Sequence, residues 1–97
     1  MRIIYLKRLA DFAHKHAEAK KSLSVWKSVV ENEVWETPQD ILKAFPTAKI
    51  INGRRSRFKI NGNKYRIVIE VDFDDRLVEI RFVGTHSAYN KIDAKNI

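Results

Sequence analysis

The apolar positions of this sequence follow two periods, helical before Pro46 and strand-like after it. Leu6, Leu9, Ala10, Ala13 and Ala17 fall on one face of a first helix, and the β-branched and aromatic segment from Arg2 to Tyr5 predicts a short strand ahead of it. Leu23, Trp26, Val29, Val30 and Val34 mark a second amphipathic helix, which Pro38 ends by about Thr37. Thr37, Pro38 and Asp40 then supply a hydroxyl cap, a residue needing no amide hydrogen and an acid at the positive helix end. They open a short third helix that buries Ile41, Leu42 and Phe45 and stops at Pro46.

Beyond Pro46 three strands are expected, Ser56 to Ile60, Lys64 to Asp72 and Arg76 to Val83, with a weaker one at Ala48 to Asn52. Asn61, Gly62 and Asn63 favour a tight hairpin between the first pair, and Phe73, Asp74 and Asp75 link the second. Alternation puts Phe58, Ile60, Tyr65, Ile67, Ile69, Val71, Val78, Ile80 and Phe82 on one face, which should bury against the helices. The expected architecture is α+β: N-terminal helices on a small, mainly antiparallel sheet, then a short C-terminal helix, with residues 1–97 as one domain.

The opposite sheet face changes the picture, because it carries Arg57, Lys59, Arg66 and Arg81. Between Arg54 and Arg66 lie six basic residues, Arg54, Arg55, Arg57, Lys59, Lys64 and Arg66, and no acidic one. Edge strands use Lys and Arg to block aggregation, which accounts for Arg55 or Lys64 but poorly for Arg66 and Arg81 on inner strands. Guanidinium groups pair with phosphate oxygens, and the chain as a whole has a net charge of +7. A polyanionic ligand or a strongly acidic partner fits this balance.

Composition sets further limits. At 97 residues, 44% of them hydrophobic and 32% charged, the chain supports one compact core. The absence of cysteine excludes disulfide and thiol chemistry and suits a cytoplasmic location. The longest apolar run, Ile3 to Leu6, is far short of a membrane span, so no membrane association is expected.

Proton-transfer chemistry is available after the last strand, at Gly84-Thr85-His86-Ser87-Ala88-Tyr89. Thr85 can cap a helix starting at His86, where free amide hydrogens attract an anion beside an imidazole able to give or take a proton. Tyr89 follows on the same helical side. Cleavage of RNA by its own 2′-hydroxyl needs positive groups around the phosphorus and a proton donor for the leaving oxygen. Arg66 and Arg81 suit the phosphate, Lys59 the phosphate or base assistance, and His86 the proton transfer. Lys59, Tyr89, Glu70 and Glu79 all remain open as the general base.

Other residues carry less. His14 and His16 are expected to be solvated on the first helix, Trp26 and Trp35 to pack in the core, and Asp72, Asp74 and Asp75 to form a turn. No cysteine-histidine set suggests a metal, and three glycines provide no phosphate-cradling loop. No cofactor or metal is expected.

The segments FKINGNKYRIV, from Phe58 to Val68, and IRFVGTHSAY, from Ile80 to Tyr89, closely resemble HigB toxins. With Asn90 to Asp93 and the N-terminal RIIYLKRLADF, the resemblance spans nearly the whole chain. It implies a RelE-like fold and a metal-independent mRNA endonuclease acting on messages at the ribosome. It also implies a cognate HigA-type helix-turn-helix antitoxin. Carried onto this chain, the family pattern marks Asn63, Arg66, Arg81, His86 and Tyr89, with Lys59 outside its defining part. Arg54, Arg55, Arg57, Asn63 and Lys64 complete the expected RNA contacts. Two rivals remain: a non-catalytic RNA- or DNA-binding protein using the same basic face, and a dock for an acidic protein.

Overall fold

The computed structural model describes residues 1–97. The elements run β1 (Arg2–Ile4), α1 (Leu6–Lys15), a 3-10 turn (Ala17–Ala19), α2 (Lys20–Asn32), α3 (Pro38–Ala44), β2 (Lys49–Ile50), β3 (Arg55–Ile60), β4 (Tyr65–Asp72), β5 (Leu77–Thr85) and α4 (His86–Tyr89). They form one five-stranded sheet in the order β1-β5-β4-β3-β2. β1 lies parallel to β5, and every other neighbouring pair is antiparallel.

The helical period is broken between α1 and α2 by the 3-10 turn at Ala17–Ala19. α2 ends at Asn32, so Val34 falls outside it and is 53% exposed, whereas Trp35 is buried. α3 starts as its sequence requires. Asp40 accepts hydrogen bonds from the backbone N–H groups of Glu36 (2.9 Å) and Thr37 (3.2 Å), which hold its carboxyl below the usual carboxylate range.

Leu9, Leu23, Trp26, Val30 and Ile41 from the helices meet Phe58, Ile67, Ile69, Val71, Val78 and Ile80 from the sheet in one core. The period-two reading of β3 and β4 is therefore borne out: Phe58, Ile60, Tyr65, Ile67, Ile69 and Val71 share the face that packs on the helices, and Val68 alternates to the other. A fully buried leucine- or isoleucine-sized side chain contributes about 1.5–3 kcal/mol, so this face dominates the stability. The opposite face of the sheet carries no helical layer from the N-terminal half, and the site is built there.

Candidate nucleic-acid interface

Register places the open-face residues in rows. Lys59 pairs with Arg66 and Arg66 with Gly84; the next row is Arg57, Val68 and Phe82; the third is Arg55, Glu70 and Glu79. His86 follows Gly84 by two residues, so the Lys59–Arg66 pair lies next to the start of α4.

One expectation for β5 needs correction. The register shifts between Val68 and Ile69, which pair with Phe82 and Ile80, leaving Arg81 as the extra residue of a β-bulge. Alternation therefore inverts beyond Ile80. Phe82 sits on the open face opposite Val68, and Val83 turns to the core opposite Ile67. The Phe82 ring lies over Gly84, where a Cβ would meet Phe82 Cζ at 2.5 Å, and its centroid is 6.3 Å from that of Tyr89. Phe82 thus joins the open face beside Tyr89, a placement that its apolar character hid. The interior Gly84 was the available signal, since a glycine within a strand marks a bulge or a close approach.

Arg66 is the most unusual group on this face. It is only 3% exposed, yet its acceptors are all amide oxygens. Nη1 donates to Asn63 O (3.0 Å) and Tyr65 O (3.2 Å), and Nη2 to Asn63 Oδ1 (2.7 Å). Nε is buried without an acceptor, as is Nε of Arg57. Burial, and after it the neighbouring Arg57 charge, lowers the pKa of the Arg66 guanidinium. Its Cζ stands 6.0 Å from the Tyr89 ring centroid.

The hairpin that presents this arginine is shaped by Asn61 and Gly62, the residues with positive φ (53° and 65°). Asn63 is free of that duty, and its carbonyl and side chain fix Arg66. On the other side of the hairpin, Lys64 O accepts from the His86 N–H at 2.9 Å. Thr85 caps α4 as its position suggests, its Oγ1 accepting from the Ala88 N–H at 3.1 Å. β4, the hairpin and α4 therefore tie Arg66, Asn63, His86 and Tyr89 into one neighbourhood, with Lys59 exposed beside it.

The other basic residues are disposed differently. Arg55 is buried, bonded to Glu70 Oε1 (3.0 Å) and Ala94 O (3.0 Å). Arg81 donates to Ile97 O (3.2 Å) and Glu79 Oε2 (3.3 Å). These contacts draw residues 94–97 across the lower open face, where Val68 is fully buried outside the main core. Arg57 reaches Thr47 O (3.1 Å). Arg54 is exposed at the far end of the sheet, its carbonyl bonded to Val71 N, and Lys64 is exposed at the hairpin tip.

His16 departs from the expected solvated position. It is half-buried and stacks on Phe12 with centroids 4.3 Å apart, near Tyr65. The Tyr65 hydroxyl donates to Glu18, and Asn61 Nδ2 donates to Glu18 O at 2.9 Å, which pins the 3-10 turn to the hairpin.

Comparison with known proteins adds the family. Residues 19–92 match the model of the HigB_toxin family, described as the RelE-like toxic component of a toxin-antitoxin system. The chain belongs to the HigB_toxin family. It is also 27% identical over 92 residues to the mRNA interferase toxin HigB of Escherichia coli K12, covering 93% of this chain and 88% of that protein. The same identity and coverage hold for the mRNA interferase HigB of Escherichia coli O157:H7 and of Shigella flexneri. The expected HigB resemblance and RelE-like α+β fold are borne out, and both family segments of the sequence meet at the Arg66 neighbourhood.

Proposed function

We propose that this chain is an mRNA endoribonuclease, the toxin of a toxin-antitoxin pair, and that residues 1–97 act as one catalytic domain. The observation that carries the reading is the buried Arg66 guanidinium, held by amide oxygens with Nε unbonded. A buried cation without a compensating anion is costly, and a phosphodiester supplies that anion from the substrate.

The 2′-hydroxyl attacks the adjacent phosphorus and the bond to the 5′ oxygen breaks, leaving a 2′,3′-cyclic phosphate and a 5′-hydroxyl. Arg66 and Lys59 stabilise the phosphorane charge, with Arg81 released from Ile97 to assist. His86, at the start of α4, gives a proton to the departing 5′ oxygen. Glu70 and Glu79 are poorly placed as bases, because both lie two rows from Arg66 and each is ion-paired, Glu70 to Arg55 and Glu79 to Arg81. Lys59 and Tyr89 flank Arg66 and are the groups suited to take the 2′ proton. Phe82 and Tyr89 offer adjacent aromatic faces to the bases.

This reading includes a metal-independent reaction on translated messages at the ribosome, in the cytoplasm, and silencing by a HigA-type helix-turn-helix antitoxin. The test is incubation of the purified chain with mRNA, with and without translating ribosomes and with a metal chelator. Cleavage should survive the chelator, yield 5′-hydroxyl ends and be lost in Arg66→Ala. Binding without cleavage under every condition would favour the non-catalytic alternative.

A further inference from the structure

β1 covers β5 only from Leu77 to Glu79. Beyond Glu79, the flank of β5 away from β4 faces α1 instead of a strand, and the Arg8 guanidinium takes the edge carbonyls of Ile80 (2.8 Å) and Arg81 (3.2 Å). α1 runs alongside in the same sense, with Arg8 at Ile80 and Phe12 against Tyr65, the partner of Thr85. Between them lies a groove of about 580 Å³ whose walls include Arg8, Phe12, Lys15, Arg81, Phe82 and Val83. Its volume is within the roughly 300–1,000 Å³ typical of ligand sites.

Charge and continuity indicate what such a groove holds. Arg8, Lys15 and Arg81 line it; its acid, Asp11, is paired with Lys7 at 2.7 Å, and Arg81 is paired with Glu79 at 3.3 Å, which leaves Arg8 and Lys15 as its cations without an acidic partner. Because of the bulge, Arg81 and Phe82 belong both to this groove and to the open face beside Tyr89. A strand gripped at Arg66 and leaving across Phe82 arrives at Arg81 and then at the α1 wall. Arg81 donates through Nε to Ile97 O at 3.2 Å and through Nη1 to Glu79 Oε2 at 3.3 Å, and the first of these contacts is the kind that a phosphate oxygen can replace.

We propose that the groove between α1 and the free edge of β5 holds the single-stranded RNA flanking the scissile linkage, with Lys15 and Arg81 on its phosphates and Phe82 against a base. Arg8 fixes the wall by closing the strand edge. This rests on the reading of Arg66 as the phosphate site and extends it by a second subsite. Specificity between sequences is not required there, because backbone contacts and stacking tolerate any base.

The test uses fluorescent oligoribonucleotides of mixed sequence, 2′-O-methylated so that they bind uncleaved, as a trimer and as hexamers extended on either side. One hexamer should bind the wild type at least about tenfold more tightly than the trimer, by about 1.4 kcal/mol. Lys15→Glu should abolish that gain and leave trimer affinity within about twofold. Lys21→Glu, an equal charge change on α2, should retain it. Equal losses in both variants, or no gain from either extension, would overturn the groove. Trimer binding that is indifferent to Arg66→Ala would instead overturn the cleavage-site reading, with the groove judged on the hexamers alone.

Discussion

Asn63 holds Arg66 through both its backbone carbonyl and its side-chain oxygen, at 3.0 and 2.7 Å, and so presents a buried guanidinium whose only partners are neutral. The arrangement leaves stability and function opposed at one position.

Replacing Asn63 exposes that opposition. Asn63→Asp should stabilise the fold by roughly 1 kcal/mol, since a charged acceptor strengthens the bond to Arg66. The same change should weaken RNA binding at least about tenfold, because the carboxylate takes the place of the substrate's phosphate. Asn63→Ala should lower both. Urea denaturation and oligonucleotide binding, measured on the same three proteins, check the pattern; an aspartate that left affinity intact would contradict it.

Gly84 and Phe82 form a second coupled pair. A Cβ on Gly84 meets the Phe82 ring at 2.5 Å, so Gly84→Ala should cost about 1–3 kcal/mol and displace the ring from Tyr89. Phe82→Ala removes the clash. Adding Gly84→Ala to Phe82→Ala should therefore cost much less than adding it to the wild type, a non-additivity visible in a double-mutant cycle of unfolding free energies.

The distance between what the chain advertises and what it builds is instructive here. The core face of β3 and β4, the caps at Thr37 and Thr85, and the nearness of the start of α4 to Arg66 were legible, because each depends on local period or local hydrogen bonding. The bulge was not. One extra residue at Arg81 leaves the apolar alternation of the sequence unchanged while inverting the faces of Phe82 and Val83. Nor could spacing reveal that Arg55 and Arg81 would engage Ala94 and Ile97, since those bonds are set by where the segment after α4 returns across the sheet. The helical faces of α1 and α2 were likewise readable, but not the 3-10 turn between them.

The contact between the 3-10 turn and β4 should be visible in the pH dependence of stability. The hydrogen bond from Tyr65 is the largest influence lowering the Glu18 carboxyl, and the same bond, with burial after it, raises the Tyr65 hydroxyl above the usual tyrosine value. A lowered carboxyl contributes stability that is complete above its unfolded value and lost as pH falls through the folded one. A raised phenol contributes stability that is complete below its unfolded value and lost as pH rises through the folded one. The stability difference between wild type and Tyr65→Phe, measured from about pH 3 to about pH 11, should be flat through neutrality and shrink at both ends. A difference that grew toward either end would contradict the contact.

The central claim is that Arg66 grips the phosphodiester while His86 protonates its leaving 5′ oxygen. The most direct test is single-turnover cleavage of a substrate whose bridging 5′ oxygen is replaced by sulfur, a leaving atom that needs no proton. With the ordinary substrate, His86→Ala and Arg66→Ala should each slow cleavage by about 100-fold or more. With the sulfur substrate, His86→Ala should recover to near the wild-type rate while Arg66→Ala remains slow. A His86→Ala defect of the same size on both substrates would contradict the account.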